Sequence, residues 1–129
     1  MKHIPIKPIL PPAIVVIFHA LMIIIFDIYT IFPAFDIPMH FLGGLSIGIS
    51  AIMLIKIFKS KITTPKWFQF IWIVGLAVIA ATVWEFAEFG SDYFLHTLMQ
   101  PSLADTMLDM FLGMIGGCVA GGWFAIKQK

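Results

Sequence analysis

Arginine is absent from this 129-residue sequence, cysteine occurs once, and charged residues of any kind make up only 12%. The lone Cys118, set in an apolar run, excludes an intrachain disulfide and any cysteine-based zinc cluster, and reads as a packing residue. With a net charge of +1 and no basic patch interleaved with aromatics, the chain also lacks the electrostatic footprint of a nucleic-acid binder. No Walker-type loop, dinucleotide fingerprint, or serine or cysteine beside a base is present. Hydrolysis without a metal therefore has no machinery here. What fills the chain instead is hydrocarbon: 60% of residues are apolar and the mean hydropathy is +1.01, where a soluble domain is about half apolar.

The apolar residues fall into four segments of about 20, the length that crosses roughly 30 Å of hydrocarbon. They run approximately over residues 12–32, 37–58, 68–89 and 106–126, and predict an all-α polytopic membrane protein: one four-helix transmembrane domain over 1–129. The first segment follows Lys2 and Lys7 but is too long for a signal peptide and has no small-residue cleavage site after it, so it reads as a retained helix. "KSKITTPKW" joins the second and third segments. "GSDYFLHTLMQPS", with room for a short interfacial helix, joins the third and fourth.

All eight basic residues are lysines, at positions 2, 7, 56, 59, 61, 66, 127 and 129. Four crossings put these on one face, which the positive-inside rule makes cytoplasmic. Both termini are expected there, in a cell inner (plasma) membrane. The seven carboxylates do the opposite: Asp27, Asp36, Glu85, Glu88, Asp92, Asp105 and Asp109 all lie towards the outer face, with His40 and His96. No lysine is within reach to neutralise them.

Spacing aims several of these groups at one another. Asp36, His40, Gly44 and Gly48 follow at intervals of four, as do Asp105, Asp109, Gly113, Gly117 and Gly121, and Ala77, Ala81 and Glu85, with Glu88 one turn on. Residues three or four apart share a helix face. Each stripe is small on its cytoplasmic half and polar on its outer half. Small residues let membrane helices approach closely, so the glycine stripes should pack three helices together with the acids converging above the contact.

Simpler roles compete for some positions. Asp36 before Ile37-Pro38 can be an N-cap with proline in the first turn; Asp105 after Ser102 can complete a capping box. Asp92 and His96 read as surface groups of the outer loop. Of His19 and Asp27 in the first helix, Asp27 is the better placed to join the acids. Glu85 and Glu88, read as closing their helix before Gly90, stand where the macrodipole disfavours negative charge, and Asp109 lies a turn too deep to cap. An ionised group at mid-membrane costs about 2.5–3.5 kcal/mol on insertion scales. His40, Glu85, Glu88 and Asp109 could be held by protons, by water or by a bound cation; a divalent cation is the expectation, with Asp36 and Asp105 as further ligands. Carboxylates with one imidazole suit Mg, Mn, Zn or Fe.

"DIPMHFLGGL", "VWEFAEFGSDY" and "DTMLDMFLGMIGG" together resemble the YjdF-type family of bacterial inner-membrane proteins, and more weakly VanZ-like membrane proteins, whose arginine has no counterpart here. The resemblance spans about residues 36–117 and implies that Asp36, His40, Glu85, Glu88, Asp105 and Asp109 are the family's polar positions. Members carry extra membrane helices, which implies a homo-oligomer that completes the bundle here. Three functions fit: a metal-dependent enzyme acting on a membrane lipid or lipid-linked phosphate, a cation- or proton-coupled transporter, and a non-catalytic membrane partner. The stripes turn to Ala and Gly below Glu85 and Asp109, which favours a one-sided site over a path through the membrane.

Overall fold

The computed structural model describes residues 6–58 and 64–128; Lys2, Lys59, Lys61 and Lys129 lie outside them. The protein is 89% helical, with no strand among the described residues. A 3-10 turn at Lys7–Ile9 leads into α1 (Leu10–Phe26) and the short α2 (Ile28–Ile31); a second, at Pro33–Phe35, leads into α3 (Asp36–Phe58), followed by α4 (Lys66–Leu95) and α5 (Leu103–Lys127). Four helical stretches are long and apolar enough to cross a membrane: Lys7–Phe26, Pro33–Phe58, Lys66–Leu95 and Leu103–Lys127. The all-α, four-span architecture is the one expected.

Element ends differ from expectation, each for a local reason. The first helix stops at Phe26 instead of continuing to residue 32, because Asp27 turns left-handed (φ 45°) and closes α1 with its own N–H on the Ile23 carbonyl. Aspartate is one of the few non-glycine residues that visits this region readily. The third helix does not end near Gly90 but continues to Leu95, closing at His96, also left-handed (φ 57°). One interior glycine disfavours a helix by only about 1 kcal/mol, which a long helix absorbs. Residues 91–95 thus extend α4, and the outer loop has no interfacial helix of its own. Glu85 and Glu88 consequently lie two or more turns inside α4, not at its end.

Three helices form the tight part of the fold, with α3, α4 and α5 in mutual contact, while α1 packs its backbone against α3 alone. Backbones touch where the glycines lie. A Cβ placed on Gly44 would fall on the Gly113 carbonyl, and one on Gly116 would strike the Phe41 carbonyl and the Leu45 nitrogen at 2.5 Å. Towards α4, a Cβ on Gly113 would stand 2.8 Å from that of Ala81, and one on Gly117 2.6 Å from that of Ala77. Gly113, Gly117 and Gly121 thus form the α4-facing stripe expected from the spacing, and Gly116 adds a second small face towards α3.

On the lysine-bearing half the core is apolar: Ala51, Ile73, Ala120 and Phe124. A polar clasp closes that end, with Gln128 Nε2 donating to Gln69 Oε1 at 2.7 Å, Gln69 Nε2 donating to the Thr64 carbonyl at 2.7 Å, and Lys66 donating to the Gln128 carbonyl.

Glycine contacts separate two substitutions that composition cannot. Gly44→Ala should lower the melting temperature in detergent, because overpacking costs about 1–3 kcal/mol of stability. Gly75→Ala, with nothing within 4 Å of the new methyl, should be neutral or stabilising. Equal melting of both variants would mean that α3 and α5 are not in contact at Gly44.

Candidate metal centre

His40 stands at the centre of the polar groups, buried to 8% exposure on α3, one turn after Asp36. Its two ring nitrogens face different carboxylates. On one edge Nε2 lies 3.2 Å from Asp36 Oδ1 and 3.9 Å from Asp109 Oδ1; on the other Nδ1 lies 3.8 Å from Glu85 Oε1. Two ligand sets result, Asp36–His40–Asp109 and His40–Glu85–Glu88, each offering three atoms within 4.8 Å of one another. Glu85, Glu88 and Asp109 are 3%, 5% and 2% exposed. The structure thus brings together five of the six expected residues, but divides them across one imidazole, whose two nitrogens point apart and cannot bind the same ion.

Asp105 belongs to neither set. Ser102 is the N-cap of α5, its Oγ accepting from the Asp105 N–H at 3.1 Å, which leaves Asp105 in the first turn where the helix dipole favours an anion. Asp36 opens α3 with Pro38 in the first turn, yet its carboxylate is turned towards His40 and Tyr29.

Three of the four carboxylates, those of Glu88, Asp36 and Glu85, are held by neutral neighbours. Trp84 Nε1 donates to Glu88 Oε1 at 2.7 Å from one turn before it on α4. The Tyr29 hydroxyl donates to Asp36 Oδ1 at 3.0 Å and lies 2.8 Å from His19 Nε2. A hydroxyl has one hydrogen, so Nε2 of His19 must supply its own to Tyr29. His19, the buried residue of α1, therefore reaches the centre through Tyr29, whereas Asp27 is exposed and takes no part. That reverses the ranking of the two read from depth alone. Tyr29 itself was missed, although a hydroxyl in an otherwise Ile- and Phe-rich outer segment needs a partner once buried.

The loop between α4 and α5 closes over the centre. Asp92 gathers it, accepting from the Thr97 hydroxyl and from the backbone N–H groups of Met99 at 2.8 Å and Gln100 at 2.9 Å. So placed, Gln100 Nε2 donates to Glu85 Oε2 at 2.8 Å and to the Glu85 carbonyl at 3.0 Å. Asp92 is therefore the organiser of the loop, and Gln100 a contact that no spacing rule announced. His96 is exposed at the end of α4.

One atom remains unprovided for. Glu85 Oε1 is fully buried and has no hydrogen-bond partner. At 3.8 Å it is too far from His40 Nδ1 for a hydrogen bond, yet well placed for both atoms to bind one ion between them. The donor set, carboxylate oxygens with one imidazole, fits a divalent cation.

A bundle of membrane-length helices enclosing an acidic and histidine cluster defines the class: a polytopic helical membrane protein with a buried polar centre. The chain belongs to the family described as predicted membrane protein (DUF2238), whose model matches residues 1–129. No curated protein and no solved structure matches it.

Because Gln100 supplies the hydrogen bonds that Glu85 has, Gln100→Ala should destabilise the protein by about 1–3 kcal/mol, the usual consequence of stranding a buried acceptor. Thermal unfolding in detergent measures it. An unchanged melting temperature would show that the loop does not pack on Glu85.

Proposed function

We propose that this chain is a metal-dependent enzyme of the bacterial inner membrane that acts, near the outer face, on the phosphate of a lipid or lipid-linked substrate. The observation that carries the reading is the buried, donorless Glu85 Oε1 opposite His40 Nδ1. Four carboxylates around one imidazole need positive charge, and the described lysines, Lys7, Lys56, Lys66 and Lys127, all stand at the far helix ends. His40, Glu85 and Glu88 would hold the cation. A divalent ion at that place supplies polarisation of a phosphoryl oxygen and activation of water.

A cleft suits the substrate to the site. Because α1 leans on α3 without touching the α4 backbone, a cavity of about 140 Å³ opens between them, walled by Val16, Gly43, Ile47 and Ala81 and ending at His19 and His40. Its walls are apolar and its end at His19 and His40 is polar, which suits the first methylenes of a lipid beside its phosphate. His19 is the group that would meet the headgroup beside the cation held by His40. Membership of the DUF2238 membrane-protein family supports the membrane location that this reading needs.

Metal analysis of the protein purified in detergent tests the reading. A chelator should lower the melting temperature, because metal affinity adds to folding free energy, and Glu85→Gln should lower metal content and melting temperature together. With the metal restored, the protein should release phosphate from vesicles containing a lipid phosphate monoester. If the carboxylates are held by protons instead, Glu85→Gln is neutral or stabilising and chelator has no effect; that result would remove the enzyme reading.

Orientation has its own check. With the lysine-rich ends cytoplasmic, a cysteine replacing Ser91 should react with an impermeant thiol reagent in intact cells. Reaction only after lysis would place the centre on the inner side.

A further inference from the structure

The Glu85–Glu88 edge uses one nitrogen of His40 and leaves the other edge unexplained. There Asp109, 2% exposed, points at Nε2 from 3.9 Å, and among the described residues no hydrogen bond reaches its carboxylate. Asp36 faces the same nitrogen at 3.2 Å. If Nδ1 binds a cation, a remaining Nε2–H can be donated to a carboxylate, the usual outer support of a metal-bound histidine. Two carboxylates stand at that one hydrogen, however, and Asp36 already accepts from Tyr29. Charge points the same way. Four carboxylates against one dication leave two negative charges uncompensated in a membrane interior, where ionised groups are costly.

We propose that the centre takes two divalent cations, one on each edge of the His40 ring: the first with Glu85 and Glu88 at Nδ1, the second with Asp36 and Asp109 at Nε2. This rests on the metal reading above. His40 then bridges the ions as imidazolate, and the ring hydrogen leaves to solvent as a proton when the second ion enters. The net charge of the cluster falls to one negative. The Tyr29 hydroxyl bond holds Asp36 in place for the second ion, and the glycine contact of α3 with α5 sets the separation of Asp109 from His40. An imidazolate bridge narrows the metal, since imidazole favours Zn or Fe over Mg and Ca.

The full chain, purified in detergent, stripped with chelator and titrated with zinc chloride, should retain two equivalents after desalting. Binding of the second should release one proton more than the first and weaken as pH falls. Asp109→Asn and Glu88→Gln should each retain one equivalent. Loading the parent protein with Mn²⁺ gives a readout independent of the variants: two ions joined through one ring show an exchange-coupled resonance spectrum, two separate ions the sum of isolated ones. One equivalent in the parent protein overturns the second site while leaving the first; none removes both. Two equivalents with an uncoupled spectrum, or two equivalents kept by Asp109→Asn, would place the second ion elsewhere and overturn the bridge.

Discussion

The contact between α3 and α5 at Gly44, Gly113 and Gly116 governs the rest of the molecule, because it allows two backbones to touch and so sets how near the next turns of each helix come to one another. One turn from Gly44, away from the lysine-bearing end, is His40; one turn from Gly113 in the same direction is Asp109. Replacing that contact by ordinary side-chain packing would separate the helices towards the usual 8–10 Å between axes, and the polar groups would part with them. In a membrane there is little hydrophobic force between helices, so close approach, dispersion and polar contacts must supply the association. The glycines on one half and the acids on the other are two parts of one arrangement.

On the half that carries the acids, burial and charge are in tension. His40, Glu85, Glu88 and Asp109 are all buried, no basic side chain of the described residues lies near them, and their supporting hydrogen bonds come from neutral groups: Trp84, Tyr29 and Gln100. Such donors orient carboxylates without neutralising them. The centre is therefore well positioned, while the compensating charge that a structural ion pair carries within the fold is not supplied by any described basic side chain near it.

Much of this was legible in the sequence, for identifiable reasons. The four spans follow from length and hydropathy, and the convergence of His40, Glu85, Glu88 and Asp109 follows from a period of four aligned with glycines, since helix geometry converts such spacing directly into a shared face. Other features depend on contacts between residues far apart in the chain. Tyr29 reaches His19 and Asp36 only because Asp27 breaks the first helix in a left-handed turn, and Gln100 reaches Glu85 only because Asp92 folds the loop back. Neither has a period. The misjudged end of α4 shows the limit of punctuation residues: Gly90 signals a stop on the surface of a soluble protein, but in a long apolar helix the backbone has no water to turn towards and keeps its internal hydrogen bonds.

The uneven apolarity of the helices bears on how the chain enters a bilayer. The stretch containing α1 has a mean hydropathy of 2.7, while that of α5 is 1.4 and includes the buried Asp109. The first is a strong inserter on its own; the last is the weakest of the four, and it is also the last to be synthesised. Both α3 and α4 precede it in the chain, and Gly44, Ala77 and Ala81 form the seat into which its glycines fit. The segment least able to tolerate lipid alone thus follows, in the chain, the helices whose surface receives it.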